Sequence, residues 1–149
     1  MTLTIEIVDE VNEDLLVGLN RLLPQLSTSA PALTLDDLDR IVNSPSSRLF
    51  IARLGDVIVG SLTLVIFAIP TGLRAWIEDV VVDVSARGQS VGERLSRAAI
   101  DEARRHGVRS IDLTSRPSRE EANALYRKIG FVARDTNVYR FFLENQFGR

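Results

Sequence analysis

The residues whose types and spacing suit chemistry lie between Trp76 and Glu93. Two adjacent acids, Glu78 and Asp79, lead into Val80, Val81, Val82 and Val84, and then into the basic turn Arg87-Gly88-Gln89-Ser90-Val91-Gly92-Glu93. β-Branched residues favour a pleated, packed surface, so the valines read as a strand, and the pattern beyond Val91 is helical. A strand, a turn and a helix N-terminus make an anion site, because first-turn N–H groups lack intrahelical partners and the helix dipole favours negative charge there. The turn is therefore expected to hold a pyrophosphate. It is not a P-loop, since Gly92 is followed by Glu93 and Arg94 instead of Lys-Ser or Lys-Thr. It is not the dinucleotide fingerprint either, because Ser90 stands where that motif needs glycine.

Arg87 to Gly92 resembles the acetyl-CoA loop of the GNAT superfamily of N-acetyltransferases, Arg/Gln-x-x-Gly-x-Gly/Ala, at every defined position but Ser90. Serine adds a Cβ where glycine would let backbone approach a phosphate. Ser90-Val91-Gly92-Glu93 is also a capping-box pattern, which predicts that the hydroxyl caps the helix or turns toward a phosphate oxygen. Ala122-Asn123-Ala124-Leu125-Tyr126-Arg127-Lys128-Ile129-Gly130-Phe131 is similar to a second family segment, Ala-x-x-Leu-Tyr-x-x-x-Gly-Phe. Many members carry asparagine seven residues before that tyrosine; here the position is Arg119, and Asn123 lies three before it.

Acetyl transfer from a thioester to an amine poses three physical problems. A lysine-like amine of pKa about 10.4 lies about 3.4 units from neutrality at pH 7, a penalty of roughly 4.6 kcal/mol. The tetrahedral oxyanion needs donors, and the departing thiolate needs a proton. The resemblance implies one group for each. Glu78, nine residues before Arg87, occupies the family's position for a base. Adjacent strand residues point to opposite faces, so only one of Glu78 and Asp79 should face the cleft. Backbone N–H groups of Val80, Val81 and Val82, exposed by a bulge, would serve the oxyanion and the cofactor arm. Tyr126 would protonate the sulfur. Arg87, Gly88, Gln89, Ser90, Val91, Gly92, Glu93, Arg119, Asn123 and Tyr126 complete the expected acetyl-CoA site, with no metal.

The elements that must position these groups follow in order. Leu3, Ile5 and Ile7 alternate with polar residues as a first strand; Val11 to Leu23 is helical and ended by Pro24. Thr34 and Asp37 look like the cap of a second helix through Ile41. Leu49–Arg53 and Val57–Ile69 form a hairpin around Leu54-Gly55-Asp56, and Pro70-Thr71-Gly72 leads into the strand Ala75–Val84. After the phosphate turn, a helix with Val91, Leu95, Ala98, Ala99 and Ala103 on one face stops at Gly107. Val108 to Thr114 is the next strand, parallel to its predecessor across a right-handed crossover. Ser118 to Glu121 reads as a capping box opening a further helix, with Gly130 as its left-handed terminator. Phe131-Val132 and Val138–Leu143 are expected to close the sheet as a hairpin. The class is mixed α/β, and the resemblance implies a GNAT-like sheet of six to seven strands flanked by about four helices. Its fourth and fifth strands would splay apart to admit the pantetheine arm.

Composition sets the remaining bounds. The 149 residues suit one domain, 1–149, with 45% hydrophobic and 26% charged residues. Net charge of −2 argues against a general nucleic-acid partner. There is no cysteine for a disulfide or a thiolate metal site, and its absence disfavours a cysteine acyl-enzyme route; the mechanism expected from the resemblance is direct attack in a ternary complex. The single histidine, His106, suits a helix C-terminus. The longest apolar stretch, Val57 to Ile69, is 13 residues, short of the about 20 that span a bilayer. The N-terminus lacks the pattern of a signal peptide. These readings give a cytoplasmic N-acetyltransferase moving acetyl from acetyl-CoA to a primary amine of a small molecule or peptide. A homodimer through the closing strands is implied by the resemblance alone. The alternatives are an acyl-CoA-binding sensor without turnover and an interaction scaffold of the same fold.

Overall fold

The computed structural model describes residues 1–143. Among them five strands form one sheet in chain order: β1 (Leu3–Ile7), β2 (Ser47–Leu54), β3 (Val57–Ile69), β4 (Gly72–Val82) and β5 (Ile111–Asp112). The first four are antiparallel and β5 runs parallel to β4. Four α-helices flank the sheet: α1 (Glu13–Leu22), α2 (Leu35–Val42), α3 (Val91–Arg105) and α4 (Glu120–Ile129). The mixed α/β class and the helix count agree with the sequence reading.

Alternation along the long strands divides the core in two. Phe50, Leu62, Leu64, Ile66, Ala75 and Ile77 face α3, whose buried stripe is Val91, Leu95, Ala99 and Ala103. Leu49, Ile51, Ile58 and Val81 face α1 and α2 through Leu15, Leu19, Leu22 and Leu38. Each layer is pinned by local chemistry. The Asn12 side-chain Oδ1 accepts from the Leu15 N–H at 2.8 Å to start α1, and Thr34 with Asp37 forms the expected capping box of α2. β3 crosses α3 so closely that a Cβ on Gly60 would lie 2.8 Å from Val91 Cγ1.

Three expectations are corrected. The sheet has five strands instead of six or seven: residues 131–143 form no strand, and Val132, Val138, Tyr139, Phe141 and Leu143 are exposed. The physical reason lies next door, since β5 offers only two residues as an edge, too short a template for a closing hairpin. The fourth strand also stops at Val82, where the chain turns into the 3-10 turn Val84–Ala86. Finally, Ser118 does not cap α4; Arg119 is the N-cap residue and makes no side-chain capping bond. Gly130 does terminate α4 in the left-handed region, with φ of 115°. His106 closes α3, its imidazole 3.0 Å from the buried Glu102 carboxylate. The last six residues of the expected domain lie outside the described residues.

Candidate active site

The site begins with an irregularity in β4. Glu78 pairs with Thr63 and Val81 with Ser61, so Asp79 and Val80 together oppose Leu62. This is a β-bulge, and Asp79 carries it with φ of 51°, a conformation that aspartate tolerates better than most side chains. The expected bulge is thus present, centred on Asp79 and Val80. Asp83 donates its N–H to the Val59 carbonyl at 2.8 Å. Ladder bonds alternate sides, so Val82, one residue back, aims its N–H away from β3 toward the side of β5. β5 does not meet it there, because the two strands pair only at Ala75–Ile111 and Trp76–Asp112. Beyond Trp76 the strands are unpaired, and Glu78 and Thr114 lie on the two sides of the gap.

The turn after β4 is built on Asp83, a residue the sequence reading passed over. Its carboxylate accepts from the Ser85 N–H at 3.1 Å, its carbonyl accepts from the Ala86 N–H at 2.9 Å, and Arg21 of α1 forms an ion pair with it. Arg21 also donates to the Ile58 carbonyl, and Gln25 accepts from the Val84 N–H at 3.0 Å. The signal was legible, since aspartate before a turn commonly bonds its own backbone two residues on. Arg21 foremost, then the Ser85 N–H, outweighs burial and holds the Asp83 carboxyl at about 2, below its ordinary 3.8. A depressed carboxyl pKa stabilises the fold fully above the unfolded value and loses that effect as pH falls through the folded one. Asp83→Asn should therefore cost about 1–3 kcal/mol near neutrality. The gap in Tm between the variant and the parent should close as pH falls from about 5 to 2, which a pH series of thermal melts would read.

Arg87, Gly88, Gln89 and Ser90 follow as an exposed turn. Gly88 has φ of 82°, and a Cβ there would meet nothing within 4 Å, so the backbone angle requires glycine and the surroundings do not. Ser90 has φ of 64° and makes no capping hydrogen bond. The capping-box expectation therefore fails, because a left-handed residue cannot hold the extended geometry that aims a cap hydroxyl at the first turn. Glu93, the expected reciprocal partner, instead bonds Arg97 and Lys128, each at 2.9 Å. Lys128 foremost, with Arg97, keeps its carboxyl below the usual range. The side chain is thus committed to joining α3 and α4. The first intrahelical bond of α3 runs from the Arg94 N–H to the Ser90 carbonyl at 3.0 Å. The N–H groups of Val91, Gly92 and Glu93 precede it, uncapped, at the positive end of a 15-residue helix. These donors and the exposed Arg87 fit a diphosphate.

α4 supplies the other wall. A Cβ on Gly92 would stand 3.2 Å from Leu125 Cδ2 and 3.7 Å from Val82 Cγ2, so glycine lets the first turn of α3 seat against both α4 and the end of β4. Next to Leu125, Tyr126 is 7% exposed and packs edge-to-face on Phe131, ring centroids 5.7 Å apart. Burial pushes the phenol above its ordinary pKa of 10.0, against a smaller opposing pull from the Arg119 charge. The hydroxyl therefore keeps its proton at neutral pH. The Asn123 amide donates to the Arg116 carbonyl at 2.9 Å, so that group fastens the loop before α4. Arg119 is exposed at the helix start.

Residues 15–131 match the model of the acetyltransferase (GNAT) family. The chain belongs to that family. A glucosamine 6-phosphate N-acetyltransferase of Oryza sativa is 36% identical over 66 residues, 44% of this chain and 38% of the rice protein. N-alpha-acetyltransferase 30 of Schizosaccharomyces pombe is 30% identical over 73 residues, 49% of this chain and 48% of the yeast protein. The chain thus matches less than half the length of each of these relatives. A solved transcriptional regulator from Bacillus halodurans C-125 superposes with a TM-score of 0.80 at 27% identity, covering 95% of this chain and 100% of that one. As a GNAT chain, this protein departs from the loop motif at Ser90, and the left-handed angle there explains what glycine would relieve. Ser90→Gly should stabilise the fold by about 1 kcal/mol, read as a higher Tm, while acetyl-CoA affinity stays equal or rises. A lower Tm would show that the serine hydroxyl holds the turn.

Proposed function

We propose that this GNAT protein is an acetyl-CoA-dependent N-acetyltransferase that acts on a primary amine by direct attack in a ternary complex. One observation carries the reading: the bulged end of β4, opened away from β5, leads through the turn at 83–90 into an uncapped α3 N-terminus, with Tyr126 buried on the adjoining helix. In this reading Val91, Gly92 and Glu93 N–H groups, with Arg87 and the Gly88–Ser90 turn, hold the pyrophosphate. Acetyl-CoA supplies the activated acetyl group. The N–H groups at the bulge and at Val82 receive the pantetheine arm and the oxyanion, Glu78 takes the amine proton directly or through water, and Tyr126 gives its proton to the departing sulfur. Residues 1–149 act as one domain, in the cytoplasm. Among the described residues no helix is long and apolar enough to cross a membrane.

Thermal unfolding with acetyl-CoA, and with ATP as control, tests the first half. Ligand at 100 times its Kd adds about 2.7 kcal/mol, a rise of several degrees in Tm. A shift with acetyl-CoA alone is expected, followed by thiol release on addition of an amine. No shift at millimolar acetyl-CoA would overturn the reading in favour of a scaffold.

A further inference from the structure

The sheet face shared with α1 and α2 is covered by those helices only in part. Their cluster takes Leu49, Ile51, Ile58 and Val81, yet β3 runs on to Ile69 and β4 begins at Gly72. On this uncovered part Val65 pairs with Trp76 and Thr63 with Glu78, while Leu64, Ile66, Ala75 and Ile77 take the opposite face toward α3. Alternation therefore sets Val65, Phe67, Trp76 and Glu78 side by side on one open surface. Together with Thr114, Val138, Tyr139 and Arg140 they line an open cleft of about 500 Å³.

The chemistry of this cleft is specific. Its floor is two aromatic rings and a valine, whose one polar atom is the indole N–H of Trp76. Glu78 is its one carboxylate among the described lining residues, and Arg140 its one cation. Beside it Arg74 and Asp112 neutralise each other at 2.8 Å. One carboxylate matches one ammonium. A polycation would leave its other charges without partners and beside Arg140, and a sugar would lay hydroxyls on an apolar floor, with Glu78, Thr114, Tyr139 and Arg140 left to bond only those that reach the walls. A flat apolar body would instead bury against Phe67 and Trp76, where aromatic contacts add to area burial.

We infer that the acceptor is a primary arylalkylamine, its ring on Phe67 and Trp76 and its amine at Glu78; this rests on the acetyl-transfer reading above. On reaction, Glu78 takes one proton from the ammonium and passes it to solvent; the freed nitrogen lone pair forms the bond to the thioester carbonyl carbon, Glu78 takes the second nitrogen proton, the carbon–sulfur bond breaks, and sulfur takes the Tyr126 proton, which solvent restores.

Trp76 is the chain's single tryptophan, so its emission reports on this cleft alone. The experiment titrates the CoA-saturated protein with 2-phenylethylamine, glucosamine 6-phosphate and kanamycin, and measures thiol release from acetyl-CoA with the same three amines. The expected result is a saturable emission change with 2-phenylethylamine alone, and kcat/KM for it at least tenfold above the other two. Phe67→Ala should raise KM for 2-phenylethylamine about tenfold, with kcat within threefold and acetyl-CoA affinity unchanged, the last showing that the variant is folded. Trp76 emission unmoved by 2-phenylethylamine overturns the inference. So does a tenfold preference for the sugar amine or for kanamycin, and in that case the acetyl-transfer reading stands. A saturable Trp76 response with no thiol release from any amine overturns acetyl transfer, and with it the acceptor role.

Discussion

Replacing Glu78 by Gln should lower kcat/KM at pH 7 by about 100-fold, within the range that a positioned general base contributes. The argument begins with the acceptor, since an alkylamine near neutrality is almost wholly protonated and attack requires the free base. A carboxylate at the mouth of the β4–β5 gap can hold the ammonium, take its proton to free the lone pair before attack, and take the second proton once the bond to carbon forms. Glutamine keeps the shape and loses the charge. The deficit should shrink as pH rises, because the neutral amine then arrives from solution without help. Glu78 is exposed on β4, so the substitution should leave Tm nearly unchanged. Parallel pH–rate profiles for the variant and the parent would remove Glu78 from the role of base, and the neighbouring Asp79 would become the candidate.

Tyr126→Phe is expected to reduce kcat at least tenfold while acetyl-CoA affinity stays within a few-fold. The phenol stands in a buried position where its proton is held, and the ring contact with Phe131 does not need the hydroxyl. Phenylalanine preserves that contact and the burial of the ring, so the loss would report on proton delivery to sulfur alone. Rapid-quench or steady-state thiol release, with binding measured separately, distinguishes the two parameters. Unchanged turnover would mean that sulfur leaves as the thiolate or is protonated by water.

The two variants test groups that the sequence exposed to different degrees. Tyr126 was legible because Leu125-Tyr126 and Gly130-Phe131 form a fixed local pattern, and a helix ended by a left-handed glycine is a local event. The helix N-terminus at Val91 was legible for the same reason. Ser90 shows the limit of such reading: its spacing to Glu93 matched a capping box, yet its φ of 64° and the pull of Lys128 on Glu93 came from how α3 seats on α4. Asp83 shows another, since its partner Arg21 lies 62 residues away in the chain.

By itself the sequence determined the element order through β4, the place of the turn before α3 and the family, because each rests on periodicity or on residues within a few positions of one another. The tertiary structure alone decided that the bulge falls at Asp79 and Val80, that β5 shrinks to two residues, that residues 131–143 add no strand, and that Phe67 and Trp76 floor a common cleft. Those depend on register between strands and on what packs across a sheet, and pairing energy of that kind is set by partners distant in sequence, which a local pattern does not encode.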